Sequence, residues 1–403
     1  MFSMFSFKNV LSFPSEVTLD LRAVDAYDEH PTNLIQMDCK PNVLRVEAVY
    51  GANASGKSNL FFALVYFRSI VMESSNNVDD HKFSAVRKYY FPFKFCENHG
   101  DSEFEAQIIC HENVYTYGFA YNSKRIEKEW LYSLSQKTHR TSVILERDGD
   151  ECSFGASVRR ECVRYQNMIS TDALALSLLG KTPLKAQAFR EVFDEIRGMI
   201  LVPAGSPSNT YQILQQLLPE EVKKRKAKLL RFLNAIDSGI SDISIDNSVK
   251  DHMEIYSMHK GRNGENYSLD IRNESDGTLK AVVMYLFSCA AIQNNHLMVV
   301  DEMNNKLHPL LLKLLVDQFY DEGTMAQLVY TTHDTTLLDR RFFRRDQINF
   351  VQKNEYGCSA LYSLSDFKVR KDASFEKDYL AGVYGGIPRL RSINNLNEGD
   401  NGR

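Results

Sequence analysis

No stretch of this chain approaches the ~18 apolar residues that a membrane-spanning helix requires, no Cys-x-x-Cys pair occurs, and neither sign of charge dominates. Each absence removes a class of protein. The seven cysteines, at 39, 96, 110, 152, 162, 289 and 358, are odd in number and scattered. That argues against a disulfide framework or a structural zinc site and for a reducing compartment. A formal charge of −4 exerts no global pull toward nucleic acid or an acidic membrane. The first residues, MFSMFSFKNVLSF, are apolar but lack a basic leader and a small-residue cleavage site. A soluble, cytoplasmic protein with no membrane partner is expected. Between Gly155 and Asp237 there is no sustained heptad run, which excludes a long coiled coil there.

What is present centres on Val49 to Leu60, VYGANASGKSNL. Gly51, Gly56, Lys57 and Ser58 meet the phosphate-loop spacing G-x-x-x-x-G-K-[ST]. The glycines allow backbone N–H groups to turn around phosphate oxygens, a lysine there reaches the outer phosphates, and the hydroxyl suits magnesium. Val46 to Tyr50 reads as a strand entering the loop and Asn59 to Ile70 as a helix leaving it, whose N-terminus favours an anion. Gly51, Ala52, Asn53, Ala54, Ser55, Gly56, Lys57, Ser58 and Asn59 are the candidate nucleotide-binding residues.

Around this loop the patterning changes along the chain. Residues 2 to 22 alternate as a β-hairpin broken near Pro14, expected to edge the nucleotide-binding sheet. Ser74 to His81 reads as a surface loop. FPFKF at 91–95, SEFEAQIIC, VYTYGFAYN, RIEKEWLYSL and TSVILERDG predict an antiparallel meander holding the sole tryptophan, Trp130, on a packed face. Asp148 and Asp150 in RDGDE read as turn acids. Helices are expected over Asp172–Leu179, Lys185–Ile196, Tyr211–Leu218 and Pro219–Ile236, the last opened by Pro219 with Glu220 and Glu221 in its first turn. Its basic run, Lys223 to Lys228, suits a solvated face or contact with nucleic acid or an acidic partner. Strands return from Ile240, with a hairpin turn at Gly261 to Glu265. The expected division is an N-terminal ATPase lobe (1–154), a helical insertion (155–240), a C-terminal ATPase lobe (241–393) and a disordered tail (394–403).

The second half of the chemistry is distant in sequence. Leu297 to Val300 is a buried-strand run ending in Asp301 and Glu302, the Walker B arrangement: one acid to hold Mg²⁺ near Ser58, the other to polarise water. Gln327 to Tyr330 is another short strand, followed by Thr331, Thr332 and His333, a candidate γ-phosphate sensor. Upstream, Ser275, Asp276, Gly277 and Thr278 open an apolar helix and make a second anion-binding device. One nucleotide does not need two such devices, so the second is expected to close a neighbouring subunit's site. A leucine-histidine-proline start at His308 suits a helix cap as well as a catalytic contact.

This order of motifs resembles the ABC-type ATPases of the structural-maintenance, RecF-like and overcoming-lysogenization group, most closely the AbiL/RloA-type abortive-infection ATPases. The resemblance rests on VYGANASGKSNL, SEFE, ESDGT, VVDEMNNKLHPLL, QLVYTTHDTTLLD, RRDQINFV and YLAGVYGGIP. It implies an α/β, ABC-type P-loop fold with a mixed sheet, an antiparallel lobe and a helical insertion. It also implies ATP and Mg²⁺ as cofactors, a dimer or higher homo-oligomer with ATP at its interfaces, and a separately encoded effector, a Toprim-like or other nuclease. By position, Lys57, Glu302 and His333 become catalytic, Ser58 and Asp301 hold the metal, and Ser275 to Thr278 act in trans. The interface-crossing loop, DELDxSLHP in the family, is here DEMNNKLHP, with Asn304 and Asn305 at its centre and Lys306 in place of a small hydroxyl residue. The change favours slow turnover. Two alternatives stand beside it: an assembly protein that binds ATP without hydrolysis, and a DNA-clamping repair ATPase.

Overall fold

The computed structural model describes residues 1–38, 41–76, 84–97, 99–205, 210–236, 239–249, 252–370 and 373–387. In chain order, β1 (Phe2–Lys8), β2 (Val17–Asp20), β3 (Leu34–Ile35), β4 (Val43–Leu44) and β5 (Val46–Tyr50) precede α1 (Lys57–Glu73) and α2 (Ala85–Lys88). Five strands follow: β6 (Ser102–Cys110), β7 (Asn113–Tyr121), β8 (Ile126–Ser135), β9 (Thr141–Asp148) and β10 (Glu151–Phe154). Next come α3 (Arg159–Cys162), α4 (Ala175–Leu179), α5 (Ala188–Gly198), β11 (Ile200–Val202) and α6 (Thr210–Ile236). The remainder comprises β12 (Ile240–Val249), β13 (His252–Lys260), β14 (Asn266–Asp270), α7 (Asp276–Asn294), β15 (Leu297–Val300), α8 (Pro309–Asp317), β16 (Gln327–Thr332), β17 (Ile348–Lys353), β18 (Ser359–Ser363) and α9 (Phe375–Leu380).

The sheet that positions the site has the order β11-β15-β16-β5-β17-β18, parallel except for β18 against β17. Its central strand β5 delivers the phosphate loop at its C-terminal end, where parallel α/β sheets present ligand sites. Strand alternation divides the core in two. Val49, Val299, Val329 and Val351 face α1 and an antiparallel seven-stranded sheet, order β10-β9-β8-β7-β6-β1-β2. Ala48, Tyr50, Met298, Val300, Leu328, Tyr330 and Phe350 face α6, α7 and α8. The α1 ring of Phe67, fully buried, lies 5.3 Å from Phe5 and 5.9 Å from both Phe104 and Phe119, so this helix is clamped by the antiparallel sheet. A mixed sheet with an antiparallel lobe is therefore what the chain forms. The segment 155–240 contributes to both cores: α4 and α5 pack in the first, α6 in the second, and β11 joins the site's own sheet.

Most of the expected elements are present, including the meander of β6 to β9 and the hairpin between β13 and β14. Trp130 lies across Gly118, where a Cβ would collide with the indole, and its Nε1 donates to Glu105 at 2.8 Å. Asp148 ends β9 at a turn through Gly149. Three expectations fail. The hairpin of β1 and β2 pairs with β6 and edges the seven-stranded sheet, not the nucleotide-binding one, because alternation sets which face is buried and not which sheet is joined. FPFKF is not a strand: Pro92 has no N–H, the Phe91 carbonyl accepts from Leu11, and the Phe93 N–H donates to the Asn9 side chain. Pro219 does not begin a helix. It lies inside α6, whose helical angles break instead at Arg225 (φ −143°), because Leu214, Leu218, Leu229 and Leu233 all bury in one core and keep the two halves together.

Within that helix, Lys224 pairs with Glu220, Arg225 with Glu221 at 3.0 Å, and Lys226 with Asp242 at 2.7 Å. Much of the basic run is thus neutralised by its own chain. The surface loop expected over Ser74 to His81 lies partly, and the tail 394–403 wholly, outside the described residues. Among the described residues no helix is long and apolar enough to cross a membrane.

Candidate nucleotide-binding site

The loop between β5 and α1 takes its shape from backbone that most side chains resist. Gly56 sits at φ 116° and Ala54 at φ 62°, both left-handed. A Cβ on Gly56 would collide with the Ser359 hydroxyl and come within 3.0 Å of the Ser12 hydroxyl, and one on Gly51 would stand 2.5 Å from the Val351 carbonyl oxygen. The glycines are needed for these close approaches. Neighbouring segments brace the loop: Ser359 Oγ donates to the Ser55 carbonyl at 2.7 Å, Asn59 Nδ2 to Ser12 Oγ at 2.7 Å, and the Ala52 N–H to the Gly386 carbonyl at 2.7 Å.

Lys57 is 5 % exposed and folds back over the loop, donating to the carbonyls of Gly51 (2.7 Å) and Ala52 (3.0 Å). Burial draws its pKa below the usual lysine value, against the opposing pull of Glu302 and then Asp301. Beneath the loop, Glu47 of β5 is sealed in the core with Asn349 donating to it, and burial pushes its pKa well above the carboxylate range.

The distant motif residues converge here. Asn53, Ala54, Ser55, Gly56, Lys57, Ser58 and Asn59 line a cavity of about 330 Å³ with Glu302, His333 and Lys353. Asp301, buried at the end of β15, accepts from Thr331 Oγ1 at 2.7 Å, and that same hydroxyl accepts the Glu302 N–H at 2.8 Å. Thr331 therefore holds the Asp301 carboxylate and the Glu302 backbone to β16. Asn304 is engaged within its own chain: its Oδ1 accepts from Thr332 Oγ1 (2.9 Å), and its Nδ2 lies 3.2 Å from Nε2 of His333. The Asn305 N–H closes a turn onto the Glu302 carbonyl at 3.0 Å. His308 caps α8 through Nδ1, which accepts the Leu310 N–H at 3.3 Å.

Among the described residues there is no group of three or more His, Cys, Asp or Glu side chains able to hold a metal unaided. Magnesium does not require one, because it keeps several waters and takes one or two carboxylates with phosphate oxygens. A hydroxyl at Ser58 and a buried, hydroxyl-oriented carboxylate at Asp301 fit that chemistry.

Ser275, Asp276, Gly277 and Thr278 do not line this cavity. They form the start of α7, where Ser275 caps the helix by accepting the Thr278 N–H at 3.1 Å. Asp276 pairs with Lys306 at 2.6 Å, so this helix start lies against the segment that follows the Walker B acids. Motif spacing does not reveal Lys353, Ser12, Ser359 or Thr331. Lys353 reaches the cavity only because β17 pairs with β5, and Thr331 carried a signal solely as a neighbour of His333.

A model of the family described as "AAA domain, putative AbiEii toxin, Type IV TA system" matches residues 48–159 and 191–339, more than half of the chain. The chain is also similar to solved structures. The SmcHead bound to the C-winged helix domain of ScpA is 12% identical, with 93% of this chain and 99% of that one covered at a TM-score of 0.43. The SMC head domain from Thermotoga maritima is 14% identical, with 90% and 98% covered at 0.42. The Smc head domain with an extended coiled coil, bound to the C-terminal domain of ScpA derived from Pyrococcus furiosus, is 15% identical, with 95% and 99% covered at 0.36. No curated protein matches the chain.

Proposed function

The chain belongs to the AAA-domain family whose model it matches, and from that premise we propose that it is a slow, magnesium-dependent ATPase of a bacterial anti-phage (abortive-infection) system, a cytoplasmic sensor and scaffold that controls a separately encoded effector, a nuclease. The observation that carries this proposal is the convergence of Lys57, Glu302 and His333, from three remote segments, on one loop-lined cavity, with Asp301 buried next to Glu302 at the end of β15. Loop N–H groups and Lys57 bind the phosphates. Ser58 and Asp301 would hold Mg²⁺, which would neutralise charge on the outer phosphates. Glu302 orients the attacking water, and His333, steadied by Asn304, reads the γ-phosphate. Ser275 to Thr278 close the site of a neighbouring copy in a homo-oligomer.

Phosphate release by the wild type, Glu302→Gln and Lys57→Ala tests the chemistry. Turnover in the wild type with nucleotide binding but no turnover in Glu302→Gln supports an ATPase. Equal inactivity of the wild type and Glu302→Gln leaves an assembly protein that binds ATP, a reading favoured by the Lys306–Asp276 pair, which ties the interface-crossing segment to its own helix. The mass of the complex recovered from the native operon context tests the partner. A homo-oligomer carrying a second protein supports the effector; a monomer or ATP-induced dimer recovering only DNA overturns it in favour of a repair-type clamp.

A further inference from the structure

Lys353 lines the nucleotide cavity without belonging to any of the motifs that the sequence offers. It is the last residue of β17, where a run of four buried residues, Ile348 to Val351, gives way to solvent. Side chains alternate along a strand, so Lys353 stands on the face of Val351, which buries against the same core as α1. The hairpin fixes it there. Lys353 is opposite Ser359 of β18, and the Ser359 hydroxyl donates to the Ser55 carbonyl of the phosphate loop at 2.7 Å. The next residue, Asn354, closes the turn: its side-chain oxygen accepts the N–H groups of Tyr356 at 3.0 Å and Cys358 at 2.9 Å.

A lysine at an exposed strand end is ordinarily a solvated charge. This one shares a cavity with the phosphate loop, Glu302 and His333, and its side chain makes no ion pair or hydrogen bond among the described residues. Lys57, by contrast, is engaged with the carbonyls of Gly51 and Ala52. The walls of the cavity say which part of a nucleotide lies there. They are loop backbone, hydroxyl, amide and charged groups, and among the described residues no aliphatic or phenyl side chain larger than that of Ala54 lines it. A base is held by apolar and aromatic surface; a polyphosphate is held by N–H groups and cations.

We propose that Lys353 is a phosphate-binding residue of this site, a second ammonium that the β17–β18 hairpin brings to the nucleotide beside Lys57. This rests on the reading of the cavity as a nucleotide site given above. A nucleoside triphosphate spreads its charge over three phosphates, and a cation on a braced hairpin can meet that charge without rearranging the loop.

The test uses the full chain as wild type, Lys353→Gln and Lys353→Arg, titrated with ATP and with inorganic triphosphate, both with Mg²⁺. Lys353→Gln should weaken ATP about tenfold and inorganic triphosphate by a similar factor, and Lys353→Arg should keep most of the affinity. Melting without nucleotide should be the same in all three proteins, because the side chain is exposed and unpaired there. Unchanged ATP affinity in Lys353→Gln overturns the proposal. So does a loss seen with ATP and absent with inorganic triphosphate, which would place the lysine on the sugar or base, and so does an equal loss in Lys353→Arg. Phosphate release separates this from the ATPase reading. A wild type that releases no phosphate, with affinity still lowered by Lys353→Gln, refutes the ATPase and keeps the lysine's role; full turnover with equal affinities in wild type and Lys353→Gln does the reverse.

Discussion

The phosphate loop and the start of α7 both lie at helix N-termini, yet they are stabilised differently. At the loop, Lys57 is satisfied by carbonyls five and six residues away, and Ser12, Ser359 and Gly386 brace the backbone from neighbouring segments. At α7, the cap is local through Ser275, but Asp276 is held by Lys306 across an exposed ion pair, and Lys280 is buried with no hydrogen-bonding partner among the described residues. One device is preorganised in a single chain. The other leaves a buried ammonium without a hydrogen-bond partner among the described residues.

The sharpest way to break this contrast is Lys57→Ala. Losing charge-assisted contacts worth ~3 kcal/mol should weaken nucleotide binding about 100-fold by calorimetric titration. Retained affinity would mean that the backbone cradle alone does the binding. Next in size is Gly56→Ala, which forces a Cβ into a left-handed position against Ser359 and Ser12. It should cost ~2 kcal/mol of stability by denaturant unfolding; a neutral result would show that the loop is not rigidly braced.

Glu47 gives the third test. Its folded-state pKa is raised by burial, so the folded protein retains a proton that the unfolded chain releases above the ordinary carboxylate pKa. Its contribution is therefore fully present at lower pH and is lost as pH rises toward the folded value, by up to ~1.4 kcal/mol per pH unit. Glu47→Gln should flatten that part of the stability-against-pH curve, and parallel curves for the two proteins would place the acid in water. The smallest effect is expected at α7. Lys306→Ala breaks a pair whose side chains are 43% and 69% exposed, and should change stability by under about 1 kcal/mol. A larger loss would mean that the segment 301–306 is locked and not poised.

How much was legible follows from how far each feature reaches along the chain. Gly51 to Ser58 could be identified because a phosphate loop works through consecutive backbone groups at fixed spacing, and β5, β15 and β16 because four to six buried residues in a row mark a strand covered on both faces. The expected order of strand, loop and helix is what formed, as did the acids at the end of β15 and the helix start at Ser275. Partner choice was not legible. Alternation in residues 2 to 22 could not say that β1 would join β6, and Pro219 looked like a helix start until four leucines held α6 together around one core.

The sequence by itself therefore determined the local features: which residues form the glycine-rich loop between strand and helix, which acids end a buried strand, and which serine caps a helix. These depend on backbone geometry and spacing within a few residues. Only the tertiary structure decided that Thr331 would bind both the Asp301 carboxylate and the Glu302 backbone, that Lys353 would join the cavity, and that Lys306 would pair with the start of α7. Each of those is a contact between remote segments, settled by how the two cores pack on either side of one sheet, and no local period encodes it.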